Sequence, residues 1–213
     1  MTRLEIISDP ICPWCYIGKS KLEKALASAG NPFDITWRPF QLNPDMPPEG
    51  MDRRTYLESK FGTDRATDVY AQIEKAATNA GLEVDFSRMK RTPNTVDAHR
   101  VIRWAKTSGH QGDLVSALFE RYFKLGEDIS DHAVLVDAAR QVGMDGDVVA
   151  RLLQGDADRD EVLGEDREAR EMGVSGVPTF LIGGTYVVQG AQDSATWEKI
   201  IADLTAAAAQ MGG

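Results

Sequence analysis

The sequence predicts an α/β protein in which the two ends of the chain form one mixed sheet and the middle is an all-helical insertion. Three observations predict it. Residues 3–37 read as strand, helix and strand, the start of an α/β unit with a parallel sheet. Residues 46–172 show only helical periodicity. Residues 179–188 read as a hairpin, and a last helix follows them.

The first segment begins with a short apolar run over residues 3–8, which ends at Ser8-Asp9-Pro10. A helical pattern begins directly after Cys12, and Gly30-Asn31 supplies its stop. Residues 33–37 then alternate between apolar and polar side chains, which is typical of a strand. The predicted order up to this point is therefore strand, helix, strand.

The middle of the chain is predicted to be helical, without strands. A proline-rich loop opens it, and apolar residues then recur at helical spacing. Asn94 or Thr95 is suited to cap one of these helices and Ser130 or Asp131 another. The helices end at a series of glycines, namely Gly81, Gly109, Gly126 and Gly143.

Strands return near the C-terminus. Residues 179–182 and 186–188 flank Gly183-Gly184, a strong hairpin signal, and a helix begins near Asp193 or Ser194. The predicted domains are residues 1–45 with 173–213 for the sheet, residues 46–172 for the insertion, and a bridging helix over 158–172.

Composition and charge argue against several classes of protein. The formal net charge is −9 and no basic stripe is visible, so we expect no nucleic-acid partner. No run reaches the roughly 18–20 apolar residues of a membrane helix, and Glu5 interrupts the apolar run that a secretory signal would need. We expect a cytoplasmic protein without a membrane partner. A chain this long folds without disulfides, so its two cysteines need another explanation.

Cys12-Pro13-Trp14-Cys15 lies between the first strand and the first helix. Proline fits the first helical position because no intrahelical acceptor is available there for an N–H. With Cys12 at the N-cap, the unpaired N–H groups and the helix dipole favour its thiolate, which is the nucleophile in disulfide exchange. We expect Cys12 to be the exposed attacking thiol and Cys15, one turn later, to be the buried thiol that resolves a mixed disulfide.

Two other interpretations of the cysteines are weaker. A zinc site needs about four ligands, and the chain adds only His99, His110 and His132, without a supporting spacing. We therefore predict no metal site. Inert buried cysteines would not need a proline at a strand–helix junction, so the motif favours a redox-active pair.

Several further side chains have two interpretations each. Pro178 is either an ordinary strand-start proline or a cis-proline. Glu5 either points to solvent or is a buried acid. His99, on a helix of the insertion, is either structural or a contact of Cys12 or substrate. Trp14 either packs on the insertion or faces substrate.

Together these motifs resemble the DsbA-like thioredoxin fold: CPWC follows a first strand, and Gly176-Val177-Pro178-Thr179-Phe180 precedes a hairpin. The segment from Ser8 to Gly18 is similar to the FrnE branch, which is grouped with the 2-hydroxychromene-2-carboxylate isomerases. Further matches follow in order at residues 38–44, 91–95, 98–100, 128–132 and 190–192. The resemblance covers almost the whole chain.

This resemblance implies a cis Val177–Pro178 bond facing the cysteines, with the backbone before it pairing with an extended substrate strand. It also implies that Glu5 is a buried acid able to exchange the Cys15 proton. Trp14 stands where the DsbA oxidase has a histidine, and it cannot supply the same hydrogen bond or charge. Strongly oxidising behaviour is therefore not expected.

The predicted function is thiol–disulfide exchange on protein or small-molecule thiols, as oxidoreductase or isomerase, with no required cofactor. The alternative is a glutathione-dependent isomerase or kappa-class glutathione transferase, although those enzymes typically hold a serine at the position of Cys12. Val177, Gln192 and Asp193 lie where glutathione could be held as a co-substrate, and Asp193 is equally suited to be an N-cap. A redox-inert binding module is a third interpretation, and a homodimer is one compatible assembly.

Overall fold

A computed structural model describes residues 1–62 and 66–211 and confirms that the two ends of the chain build one mixed sheet. Strand β1 (Thr2–Ser8) is parallel to β2 (Phe33–Pro39) and antiparallel to β5 (Thr179–Ile182). Strand β6 (Tyr186–Gln189) pairs with β5 across the predicted hairpin. The strand order β2-β1-β5-β6 leaves β1 in the interior of the sheet and β2 at an edge.

Helix α1 (Pro13–Ala29) follows β1 and packs against the last helix of the chain, which comprises Ser194–Met211. Ile6 of β1 and Leu22 of α1 belong to the same buried apolar cluster and line the same cavity. Successive side chains of a strand point to opposite faces, so Glu5 and Ile7 face away from α1. The two faces of the sheet are therefore covered by different parts of the chain.

The insertion is helical, as predicted, with α2 (Arg53–Phe61) as its one unpredicted helix in the described part of the chain. Helix α2 was not predicted because it is short and rich in charged residues, so its apolar residues do not form a recognisable helical pattern. Its Asp52 N-cap accepts the Thr55 N–H. The other helices are α3 (Ala66–Asn79), α4 (Val96–Thr107), α5 (Gln111–Glu120), α6 (His132–Gln141), α7 (Gly146–Leu153) and α8 (Arg159–Glu171), so the Ser194–Met211 helix is α9.

The prediction that the insertion lacks strands is wrong in one detail. Met51–Asp52 (β3) and Arg91–Thr92 (β4) pair as a two-residue antiparallel ladder. Two residues are too short to show an alternating pattern, so sequence periodicity could not reveal them. A π-helical turn at Arg121–Leu125, which extends α5, is likewise invisible to a 3.6-residue pattern.

The insertion is attached to the sheet edge through Gln111, at the start of α5. The Gln111 Oε1 accepts the Trp37 N–H at 2.9 Å, and its Nε2 donates to the Trp37 carbonyl at 3.1 Å. One side-chain amide thereby pairs both outward-facing backbone groups of the edge strand at this residue. Throughout the described ranges, no helix has the length and apolarity that crossing a membrane requires.

Candidate active site

Cys12 is the N-cap of α1 and Pro13 is its first residue, as predicted. The Cys12 Sγ lies 3.5 Å from the Val177 carbonyl oxygen, so the thiol meets the backbone just before Pro178. The prediction that Cys12 is exposed is wrong, because only 3% of the residue is accessible. The Val177–Pro178 segment lies against it and accounts for part of that burial.

Cys15 lies one helical turn deeper, is 1% exposed, and is a free thiol like Cys12. Burial raises the pKa of the Cys15 thiol well above its usual value, and the adjacent Cys12 sulfur raises that pKa further. Hydrogen bonds from the Ser8 side chain and the Asp9 backbone act in the opposite direction and lower it. The two thiols are thus neighbours in unequal surroundings, and Cys15 is held in its protonated form.

The Val177–Pro178 bond is cis, which confirms the prediction for Pro178. Helix α1 approaches this segment at Gly18, where an added Cβ would lie 3.0 Å from the Pro178 Cγ and 3.4 Å from the Ala191 Cα. A glycine at this position therefore lets the cysteine-bearing helix sit directly against Pro178. This contact brings the helix that carries Cys15 against Pro178, which lies far away in the sequence.

The acid beside the cysteines is Asp9, which the sequence prediction treated only as part of a strand end. It is fully buried, and its carboxylate accepts the Leu42 N–H at 2.7 Å and the Ile11 N–H at 3.3 Å, with a further hydrogen bond from Thr95. Burial raises the pKa of Asp9 to about 7, against the lowering effect of these hydrogen bonds. The available signal was an acid three residues before Cys12, between the first strand and the cysteine motif.

Glu5 is buried as well, so the alternative that it points to solvent is wrong. Its carboxylate pairs with Arg3 at 2.7 Å and with Arg38 at 3.5 Å, on the face of the sheet away from α1. The groups in contact with Cys15 are instead Cys12, Ser8 and Asp9. Strand alternation explains the difference, since it directs Glu5 and Ser8 to opposite faces.

His99 is buried at 4% exposure, and its Nε2 lies 3.2 Å from the Phe40 carbonyl oxygen. Because a carbonyl only accepts, Nε2 carries the proton. The same nitrogen lies 3.9 Å from the Asp9 Oδ1, and burial lowers the pKa of His99 to about 4. His99 thus hydrogen-bonds to the Phe40 carbonyl and lies near Asp9, which fits the alternative that it is structural rather than a contact of Cys12.

The remaining candidates are two residues at the start of α1 and two residues just before α9. Trp14 is 41% exposed, and Pro13 is half-buried. The Gln192 Nε2 donates to the Gln189 carbonyl at 2.7 Å. The Asp193 carboxylate accepts the Thr196 N–H at 2.7 Å, which is the hydrogen bond of an N-cap at the start of α9. In the part of the chain that the structure covers, no cluster of three His, Cys, Asp or Glu side chains is arranged to hold a metal.

Comparison with known proteins places this geometry in context. Residues 3–202 match the family model of the DSBA-like thioredoxin domain. The chain is 31% identical to a probable DsbA oxidoreductase from Streptomyces coelicolor, over 95% of this chain and 89% of that one, with a TM-score of 0.86. It shares its fold with a 2-hydroxychromene-2-carboxylate isomerase (15% identity, 98% of each chain, TM-score 0.74). It also shares its fold with the cytosolic disulfide reductase DsbM from Pseudomonas aeruginosa, solved with GSH (16% identity, 95% and 98%, TM-score 0.69).

Proposed function

This chain belongs to the DsbA-like thioredoxin family of thiol oxidoreductases, and from that premise we propose that it exchanges disulfides with Cys12 as nucleophile and Cys15 as resolving thiol. One observation carries the proposal. The Cys12 sulfur stands at the start of α1, against the Val177 carbonyl, with the Cys15 thiol directly behind it. Each of the two steps therefore has its own thiol, Cys12 for the attack and Cys15 for the resolution, and the two thiols are adjacent.

The reaction proceeds in two exchanges. The Cys12 thiolate attacks one sulfur of a substrate disulfide, the substrate S–S bond breaks, and one substrate thiolate leaves. Cys15 then loses its proton and attacks the Cys12 sulfur, which releases the second substrate thiolate and leaves a Cys12–Cys15 disulfide. The substrate is reduced by two electrons and the enzyme is oxidised by two. Regeneration by another thiol runs the same steps in reverse.

Asp9 is the base that we assign to the second exchange. Cys15 is held as a thiol, so its attack requires a proton acceptor close by. Asp9 has a carboxyl group whose pKa of about 7 suits that task, and its own backbone contacts Cys15. The role that the sequence assigned to Glu5 is therefore better supported for Asp9.

Protein or small-molecule thiols and disulfides are the proposed substrates, with no required cofactor. Exposed Trp14 and the Val177 backbone supply a surface beside Cys12 for an extended chain. Glutathione is a candidate co-substrate, supported by the fold shared with DsbM, whose structure was solved with GSH. The cytosolic description of DsbM likewise supports a cytoplasmic setting for this chain.

The alternative is a glutathione-dependent isomerase, favoured by the fold shared with 2-hydroxychromene-2-carboxylate isomerase. Cys12 and Cys15 weigh against it, because an isomerisation of that kind uses no second thiol. The two functions differ in what they require of Cys15, which makes them separable by experiment.

The test is trapping with Cys15→Ser. Incubated with a disulfide-bonded peptide, this variant should accumulate a mixed disulfide through Cys12, detected by mass spectrometry and released by dithiothreitol. Cys12→Ser is the control and should trap nothing. A Cys15→Ser variant that traps no peptide, combined with glutathione-dependent turnover of 2-hydroxychromene-2-carboxylate by the unaltered protein, would reverse the assignment.

A further inference from the structure

The Cys12 sulfur does not use the N–H groups of the helix that it begins. It donates to the Val177 carbonyl oxygen at 3.5 Å, and the Cys12 side chain makes no capping hydrogen bond to α1. The Cys15 and Tyr16 N–H groups donate to the Cys12 carbonyl instead. The Trp14 N–H has no backbone acceptor in the described residues. The support for a thiolate that the sequence predicts at this helix start is therefore present, but the sulfur is not placed to receive it.

In this position Cys12 is a thiol and not a thiolate. A carbonyl oxygen only accepts hydrogen bonds, so the sulfur carries the hydrogen. A thiolate here would face the oxygen at 3.5 Å with no hydrogen between the two atoms, and only 3% of the residue is open to water. Since the thiolate is the nucleophile in disulfide exchange, the sulfur must leave this contact before it attacks.

The backbone of Val177 is open to a second chain. Its N–H and its C=O take part in no backbone–backbone hydrogen bond within the ranges that the structure describes, and β5 begins two residues later, at Thr179. Ser175 and Gly176 are exposed, and Val177 itself is half-buried. An extended chain along this edge can exchange both backbone hydrogen bonds with Val177, as antiparallel strands do. Such a chain directs a peptide N–H at the oxygen that the Cys12 thiol occupies.

We propose that the substrate activates Cys12 by taking the Val177 carbonyl away from its thiol. The inference rests on the proposed disulfide exchange and adds a substrate class to it, namely disulfides with a peptide N–H beside the half-cystine. A thiol is a weak donor and a peptide N–H a strong one, so the substrate N–H displaces the thiol from the oxygen. The sulfur then turns to the Trp14 N–H, where the start of α1 stabilises the thiolate.

The first exchange then balances as follows. The Cys12 S–H bond breaks and its proton passes to solvent water. The thiolate attacks the nearer substrate sulfur, the substrate S–S bond breaks, and the leaving thiolate takes up a proton from water. The half of the substrate that stays attached keeps its N–H on the Val177 carbonyl, so the mixed disulfide remains beside Cys15 for the second exchange.

A kinetic experiment compares substrates that differ at one nitrogen. The probe is a blocked peptide, alanine-cysteine-alanine, whose cysteine is disulfide-bonded to nitrothiobenzoate, a chromophore detected on release. Two matched probes carry a methyl group on the nitrogen of the cysteine or of the residue after it. Neighbouring N–H groups of an extended chain point to opposite sides, so only one of the two methyl groups removes the donor to Val177.

The rates are measured with the Cys15→Ser protein, so that only the first exchange releases the chromophore. Each rate is divided by the rate of the same probe with free glutathione, which removes differences in intrinsic reactivity. We expect one methylated probe to react about 10-fold more slowly than the unmethylated one, the effect of one lost hydrogen bond, and the other to react at the unmethylated rate. Equal corrected rates for all three probes would overturn the proposal.

A spectroscopic experiment detects the displaced thiol itself. The same peptide with serine in place of cysteine cannot react but keeps its N–H groups. Added to the reduced protein, it should raise the ultraviolet absorbance of the thiolate and shift the amide proton resonance of Trp14, and neither change should occur in Cys12→Ser. A serine peptide that leaves the thiolate absorbance unchanged would overturn the activation. Release of no chromophore from any probe would instead contradict the proposed disulfide exchange.

Discussion

Among single residues, Asp9 and His99 are two buried ionisable side chains beside the cysteines, and both are kept largely neutral. Burial raises the pKa of Asp9 to about 7 and lowers the pKa of His99 to about 4, so both shifts favour the neutral forms. The Asp9 carboxyl remains able to gain or lose a proton near neutral pH. This is the property that a base for Cys15 requires.

The two shifts have opposite consequences for stability. Asp9 binds its proton more tightly in the folded state, so its stabilising contribution is complete below pH 3.8 and is lost as the pH rises toward 7. His99 binds its proton less tightly in the folded state, so its contribution is complete above pH 6.5 and is lost as the pH falls toward 4. Between pH 4 and 6.5 the two contributions change in opposite directions.

We therefore expect paired variants to have opposite pH slopes. In His99→Phe the Asp9 contribution stands alone, and the free energy of unfolding should fall by about 1.4 kcal/mol for each pH unit between pH 4.5 and 6. In Asp9→Asn the His99 contribution stands alone, and the free energy of unfolding should rise by a similar amount for each pH unit. Urea denaturation across this window, referenced to the unaltered protein, measures both. Parallel slopes in the two variants would contradict the opposed shifts.

At the scale of elements, the sequence predicted what local patterns encode. The Cys12 N-cap, Pro13 at the first helical position and the hairpin around Gly183-Gly184 all form as expected. What it missed depends on tertiary contacts. The ladder of β3 and β4 is too short for a pattern, and the burial of Asp9 results from packing against α4 and α8, which single-sequence periodicity does not report.

The Glu5 and Cys12 predictions show the same limit. Glu5 is an acid on the strand that leads to the cysteines, as expected for a proton acceptor. Its side chain, however, points to the face of the sheet away from α1, and Cys15 lies on the other face. Cys12 was expected to be exposed because it begins a helix, yet the distant Val177–Pro178 segment lies against it. For Glu5 the residue was identified correctly and its neighbours were not, whereas for Cys12 the neighbour was expected from the resemblance and the burial was not.

The contact of α1 with Pro178 yields a prediction about two glycines. Alanine in a helix interior is favoured over glycine by about 1 kcal/mol. At Gly18 the new methyl group would lie 3.0 Å from the Pro178 Cγ, and relieving that overlap costs about 1–3 kcal/mol. We expect Gly18→Ala to lower the free energy of unfolding and to slow disulfide exchange, because α1 moves away from Pro178.

Gly164, in the middle of α8, is the matched control. An added Cβ there has no neighbour closer than the Arg167 Nη2 at 3.8 Å. Gly164→Ala should therefore stabilise the protein by about 0.5–1 kcal/mol and leave exchange unchanged. Thermal unfolding measures the stability of both variants, and the rate at which each reduced variant releases thiolate from the chromogenic disulfide DTNB measures exchange. If Gly18→Ala stabilised the protein as much as Gly164→Ala, there would be room for a methyl group between α1 and Pro178, and the prediction would be wrong.

At the scale of the whole molecule, the insertion and the sheet are joined around the active site. The Asp9 and Glu5 surroundings both combine strand residues with residues of α4 or α8. The division at residues 45 and 173 stays a prediction from sequence, and the contacts argue that its two parts depend on each other. We expect one cooperative unfolding transition for the chain.

Gln111 is the place to test that dependence. Its side-chain amide pairs both the N–H and the carbonyl of Trp37 at the sheet edge, and the residue is 7% exposed. Gln111→Leu has a similar volume but leaves both backbone groups without these partners, so we expect a loss of about 2–4 kcal/mol in the free energy of unfolding. Hydrogen exchange of the Trp37 amide should accelerate as well. Exposed Gln154→Leu is the control and should stay within about 0.5 kcal/mol. A Gln111→Leu variant as stable as this control would mean that the insertion is held to the sheet by apolar packing alone.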